Sequence, residues 1–157
     1  MKAVTSALDA TDRRLLALLQ VDCSLTNDEL ARRAHVSPAT SLRRVRRLVQ
    51  AGVIERRIAI VNAEAAGGGI TAIVEVTLEQ QTAELLDRFE ADATAAAEVQ
   101  QCYRVASGPD FVLIVFVSDV AAYHAFAHRV LTAQANVRNV RSFFAVKRSK
   151  FEPAIPL

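Results

Sequence analysis

The 157-residue sequence predicts an α+β chain: an N-terminal winged helix-turn-helix followed by a C-terminal ferredoxin-like β-α-β-β-α-β unit. Three observations predict it. Two short capped helices stand almost end to end, and the second, from Ser37 onward, carries four arginines by Leu48. The run Gly67-Gly68-Gly69 then breaks the chain, and beyond it apolar residues take up strand spacing. Charge divides nearby: residues 1–61 carry +5 and residues 62–157 carry −3, although the whole chain is only +2. Such a division confines polyanion contact to the N-terminal part.

Taken in order, Asp9 caps a first helix that runs to about Gln20 and buries Leu15, Leu16, Leu18 and Leu19. Thr26-Asn27-Asp28-Glu29 reads as a capping box, with the acid three positions after the cap. The helix it opens, Asn27 to Ala34, turns Leu30 and Ala34 inward, and Val36 fills a short turn. Ser37 accepts from free amides of the next helix. Pro38, at its first position, has φ already set and lacks a donor that would go unpaired. That helix, Pro38 to Ala51, stops at Gly52 as a left-handed cap. Val53-Ile54 and Arg57 to Val61, on either side of Glu55-Arg56, read as a small strand or hairpin, the wing.

Past the glycines, Ile70 to Leu78 alternates as a strand, and Thr82 opens a helix through Leu85, Leu86 and Phe89. Val99 to Val105 is a strand. Phe111 to Val117 is an unbroken apolar run, which suits a central strand covered on both faces. Asp119 caps a helix carrying Tyr123, Phe126, Ala127, Val130 and Leu131, and Val137 to Val146 closes the unit as its last strand. This order makes one four-stranded sheet with both helices on one face. The opposite face needs a cover, and a second copy is the simplest.

The third helix carries the chemistry. At about 100° per residue, Leu42, Val45, Leu48 and Val49 share one arc, while Thr40, Arg43, Arg44 and Arg47 share the opposite one. Ser41 and Arg46 fall near the boundaries. One face packs, and the other offers charge and short hydroxyls, as a helix in a DNA major groove does. The expected contacts with double-stranded DNA are Ser37, Pro38, Thr40, Ser41, Arg43, Arg44 and Arg47, with Arg56 and Arg57 reaching phosphate from the wing. Arginine forks onto guanine specify sequence, whereas phosphate contacts only set position. Arg46 is either a further contact or a structural ion-pair residue.

Other classes find little support. Hydrophobic residues make up 52% of the chain and charged residues 23%, so it can build a core. Cys23 and Cys102 are too few for a disulfide framework and read as reduced thiols. No apolar leader follows Met1-Lys2 and no run is long enough for a membrane span, so a cytoplasmic protein without membrane contact is expected. His124 and His128 lie four apart but have no third ligand in the pattern, so no metal is expected. Gly67-Gly68-Gly69 lacks the lysine and the strand–helix context of a phosphate cradle. Tyr103 and Phe143-Phe144 lack the basic interleaving of an RNA-stacking sheet and read as interface aromatics. No nucleophile–base pair emerges, so neither catalysis nor a cofactor is expected.

Leu8-Asp9-Ala10-Thr11-Asp12, Ser37-Pro38 with Arg44-Val45-Arg46-Arg47-Leu48, and Gly52-Val53-Ile54 recur in this order with Val105 to Phe111 and Asp119-Val120-Ala121-Ala122-Tyr123. Over residues 8–150 the chain resembles the Lrp/AsnC family, the feast/famine transcriptional regulators. The resemblance implies a DNA-binding dimer, often assembled into tetramers or octamers, that reads a palindromic operator and answers to an amino acid or related small effector. It divides the chain into a DNA-binding domain (1–61), a linker (62–69) and an effector-binding and oligomerisation domain (70–157). Effector contacts are expected on the loop Ser107, Gly108, Pro109 and Asp110, and at Ser142 of a neighbouring subunit, on the last strand where the family often has Thr. The loop departs from the usual Val-Ser/Thr-Gly-x-x-Asp-Tyr: Ser107 stands at the glycine position, Gly108 follows it, and Phe111 replaces Tyr. Pro109 also removes an amide. Two alternatives share these features in part: a sirohaem-decarboxylase-like enzyme on the same fold, and an architectural DNA-compacting protein.

Overall fold

The computed structural model describes residues 8–157, so the reading of the stretch after Met1-Lys2 lies outside the described residues. The chain divides into two compact units. One extends to Ile60 and takes in Phe151–Leu157; the other is Val61–Lys150. Residues 62–69 thus belong to the second unit and the last seven residues to the first.

The first unit holds α1 (Ala10–Val21), α2 (Asn27–Ala34) and α3 (Pro38–Gln50). Each begins at a side-chain cap. Asp9 and Asp12 form a reciprocal capping box, in which the Asp12 amide donates to Asp9 Oδ1 at 2.9 Å and the Asp9 amide to Asp12 Oδ2 at 3.3 Å. Thr26 caps α2 through the Glu29 amide, but the Glu29 carboxylate takes Arg33 at 2.9 Å, so only half of the expected box forms. Ser37 caps α3 through the Thr40 amide. His35 closes the turn between α2 and α3 in the left-handed region, with φ 58°. The three helices bury Leu15, Leu30, Ala34 and Val45 together, with Leu18, Leu19, Leu25, Val36 and Ile54 packed around them.

Gly52, at φ +71°, turns the chain away after α3. Val53-Ile54 and Arg57 to Val61, expected as a wing strand or hairpin on either side of Glu55-Arg56, form no ladder; a strand needs a partner, and the described residues supply none. Gln20 holds the C-terminal segment at Ile155 through its side chain. The Gln20 amide donates to the Ile155 carbonyl at 3.0 Å and its oxygen accepts from the Ile155 amide at 2.8 Å, as a neighbouring strand would.

The second unit is a four-stranded antiparallel sheet in the order β2-β3-β1-β4, built from β1 (Ile70–Leu78), β2 (Val99–Arg104), β3 (Phe111–Val117) and β4 (Val137–Phe144). Two helical segments cover one face: α4 (Ala83–Ala95), and α5 (Val120–Phe126) with the π-helical turn Ala127–Thr132 that continues it. Alternation dictates the packing. Ala72, Val74, Val76 and Leu78 of β1 and Phe111, Leu113, Val115 and Val117 of β3 point at Phe89, Ala93, Tyr123 and Phe126. The π-turn answers the adjacent pair Val130-Leu131. One extra residue per turn brings both side chains onto the sheet, and both are buried.

The other sheet face carries Ile73, Tyr103 and Phe143 in the open, with Val112, Ile114 and Phe116 half-buried between them. Neither helical segment of this unit covers this face, and no helix of the described residues is long and apolar enough to cross a membrane.

Gly69 meets the sheet closely. A Cβ there would enter the Phe116 ring and stand 2.8 Å from the Val117 carbonyl oxygen, and φ is +156°. Gly69→Ala is expected to destabilise the second unit by about 1–3 kcal/mol through that overlap. Urea unfolding of the variant measures it; an unchanged midpoint would mean that the backbone yields there freely.

Candidate nucleic-acid interface and effector loop

The structure turns α3 differently from the face its apolar residues suggest. Ser41, Val45 and Leu48 are buried, Arg44 is largely so, and Leu42 and Val49 stand half in the open. The buried face is rotated by roughly 50° from the sequence-based one. Ser41, expected at DNA, is 0% exposed; its hydroxyl is buried and has no hydrogen-bond partner among the described residues.

Arg44, also expected at DNA, is drawn inward by charge. Its Nη1 donates to Asp9 Oδ2 at 2.6 Å and to Asp12 Oδ1 at 3.0 Å, and its side chain is 20% exposed. Arg47 donates from Nη2 to Asp12 Oδ2 at 2.6 Å. The capping box of α1 and two arginines one turn apart on α3 therefore form one cluster of two carboxylates and two guanidiniums. The Arg44 hydrogen bond, with that of the Asp12 amide behind it, lowers the Asp9 carboxyl from 3.8 to about 2. Sequence reasoning gave Asp9 a capping role but missed both acids as partners of α3. The signal was present as matched spacing: Asp9 and Asp12 are three apart on one helix, Arg44 and Arg47 three apart on the other.

The outward arc of α3 is consequently Ala39, Arg43, Arg46 and Gln50, with Arg47 on one shoulder. Arg43 and Arg46 are exposed and bond to no described residue. Arg46 is thus not the structural ion-pair residue; Arg44 is. Thr40 is half-buried, and its hydroxyl accepts from the Ser37 hydroxyl at 2.9 Å. Ser37 and Pro38 stand exposed at the helix N-terminus. Arg56 and Arg57 join Arg46 around an open groove of 740 Å³ floored by Leu42, Val45, Val49 and Ile54. The structure therefore brings seven of the nine expected DNA residues to exposed or half-exposed positions on or beside α3, and sets Ser41 and Arg44 inside.

The loop between β2 and β3 is a closed turn. The Val105 amide donates to the Asp110 carbonyl at 3.0 Å and the Asp110 amide to the Val76 carbonyl at 2.9 Å. Asp110 Oδ2 accepts from the Leu78 amide at 2.7 Å, so half of the carboxylate ties the loop to the end of β1. Ser107 and Gly108 are exposed, Gly108 at φ +88°. The amides of Ala106, Ser107 and Gly108 bond to no described residue. Ser142 is not beside this loop. It pairs with Val74, four residues along β1 from Leu78 and so on the order of 13 Å away. Its hydroxyl is hydrogen-bonded to the Tyr123 hydroxyl, and Tyr123 stands edge-on to Phe144 with ring centroids 4.9 Å apart. The Tyr123 contact is a long-range pair that strand alternation does not reveal.

Known proteins align with this arrangement along almost the whole chain. The family description "Lrp/AsnC ligand binding domain" matches residues 71–155, and "Winged helix-turn-helix DNA-binding" matches residues 8–55. The Bkd operon transcriptional regulator of Pseudomonas aeruginosa is 36% identical over 150 residues, covering 96% of this chain and 98% of that one. A transcriptional regulator of Neisseria meningitidis, solved with L-methionine, superposes with a TM-score of 0.86 at 29% identity, covering 96% of this chain and 97% of that one. A feast or famine regulatory protein of M. tuberculosis, also solved with L-methionine, gives 0.83 at 34% identity over 95% and 99%. With an α+β fold of winged helix-turn-helix and antiparallel sheet, and with family matches to both parts, the chain belongs to the Lrp/AsnC family of transcriptional regulators.

Proposed function

We propose that the protein is a cytoplasmic, sequence-specific regulator that lays α3 in the DNA major groove and answers to an amino acid held at its second unit. The observation that carries the DNA reading is the outward arc of α3: two arginines, Arg43 and Arg46, bonded to no described residue, with Arg47 beside them and only the small Ala39 and the polar Gln50 between. Ser37 and Pro38 start the helix where free amides meet a phosphate, and Arg56 and Arg57 approach the backbone from the flank. A haem-type decarboxylase has no use for such a surface.

Two copies would cover each other's open sheet face. Ile73, Tyr103, Phe143, Val112, Ile114 and Phe116 supply the apolar area, and the Glu75–Arg141 pair at 3.2 Å, with Arg141 over Phe143, supplies a polar border. Paired recognition helices read inverted half-sites about 34–36 Å apart. For the effector, free amides at Ser107 and Gly108 suit a carboxylate. The Asp110 oxygen not bonded to Leu78 suits an ammonium, and Pro109 stiffens the loop between them. Ser142 serves such a site only from another copy. The relatives solved with L-methionine support an amino acid as ligand.

Two measurements test this together. Footprinting on the protein's own promoter region is expected to show a discrete protected palindrome; uniform coverage would favour DNA compaction instead. A melting screen with the twenty amino acids is expected to show a selective rise for one or a few, about 2.7 kcal/mol at a hundredfold excess over Kd. No rise with any of them would remove the effector from the account.

A further inference from the structure

We propose that Asp12 is a positioning residue for DNA binding: it grips one arm of Arg47 so that the remaining donors of that guanidinium are presented, already ordered, to the DNA. The inference rests on the DNA-binding reading above and concerns how that surface is built. Asp12 is buried, its side chain 1% exposed, and cannot touch DNA itself. Its own orientation is fixed three ways: by the Asp9 amide at 3.3 Å, by Arg44 at 3.0 Å and by Arg47 at 2.6 Å. Arg47 is different in kind from Arg44. Its side chain is 48% exposed, and only Nη2 is bonded among the described residues. Nε and Nη1 lie free on the shoulder of the outward arc.

A free arginine is among the most rotamer-rich side chains, and ordering it on a ligand costs entropy. Holding one arm on a buried carboxylate orders it beforehand and leaves its fork geometry for a phosphate or a base edge. Arg44 bonds the other oxygen of Asp12 and holds the carboxylate from the protein side. A purely structural role for Asp12 makes a different prediction. Removing its negative charge would then strengthen binding to every duplex alike, because the surface gains one unit of positive charge.

The test uses the full chain, a duplex selected by the wild-type protein from a random-sequence pool, and poly(dI-dC) as unselected DNA. Asp12→Asn is expected to lower affinity for the selected duplex about tenfold while affinity for poly(dI-dC) stays equal or rises. Arg47→Lys, which leaves Asp12 in place and so keeps the fold safe, is expected to bind the selected duplex no better than Arg47→Met does, yet to match wild type on poly(dI-dC). Combining Asp12→Asn with Arg47→Lys is expected to add nothing to either loss. The inference is overturned if Arg47→Lys binds the selected duplex as wild type does, or if Asp12→Asn strengthens both affinities in parallel. Failure of the wild type to select any duplex would instead defeat the DNA-binding reading.

Discussion

Arg44→Ala is expected to destabilise the N-terminal unit by about 3 kcal/mol, because it strips one of two partners from a buried carboxylate. The low end of the range for such losses applies, since Arg47 still pairs Asp12 at 2.6 Å. In a unit of this size that lowers the melting temperature by more than about 10 °C. The loss has a pH signature. With Arg44 beside it, the Asp9 carboxyl titrates at about 2 rather than 3.8. The unfolded chain therefore binds that proton first as pH falls. The Asp9 contribution is complete above about pH 4 and disappears between there and pH 2. In the alanine variant the Arg44 share of that depression, the largest, is gone while the Asp12 amide still lowers the carboxyl, so this part of the difference from wild type closes on acidification across that window. Calorimetry of the two proteins from pH 7 to pH 2 checks it. A difference that does not shrink on acidification would show that the Arg44–Asp9 contact contributes nothing.

The second large effect belongs to the opposite face of the same helix. Arg43→Ala combined with Arg46→Ala is expected to weaken DNA binding about a hundredfold or more, at about 1–3 kcal/mol for each well-placed contact. Neither side chain bonds to any described residue, so stability is expected to stay within about 0.5 kcal/mol of wild type. If both arginines meet phosphates, the slope of log affinity against log salt becomes shallower by about 0.9 for each. If they fork onto bases, the slope holds and sequence preference relaxes instead. Binding measured at several salt concentrations separates the two, and unaltered affinity at every concentration would remove both residues from the interface.

The elements of this fold were legible to within a residue or two wherever a local signal existed. Asp9, Thr26, Ser37, Thr82 and Asp119 all cap the helices they were expected to cap. β1 and β3 begin and end where alternation and the apolar run placed them, because side-chain period and burial are set by the strand itself. Three things were not legible, each for the same reason. The orientation of α3 depends on Asp9 and Asp12, more than thirty residues away in sequence, and apolar periodicity knows nothing of them. The stretch 53–61 has strand-like composition, but pairing requires a partner that the described residues do not provide. The hydroxyl of Ser142 turns to Tyr123 and the Asp110 carboxylate to the Leu78 amide, contacts made across the fold rather than along it. Residue type singled out α3 as the candidate interface; only tertiary structure separated the arginines that hold α3 from those exposed on it.

That separation is tested most directly by a gel-shift titration of Arg43→Ala/Arg46→Ala and Arg44→Ala side by side, at a temperature where both remain folded. The account predicts that the double variant loses DNA binding while the Arg44 variant, per folded molecule, retains it. Loss of binding in the Arg44 variant, with near-normal binding in the double variant, would contradict it.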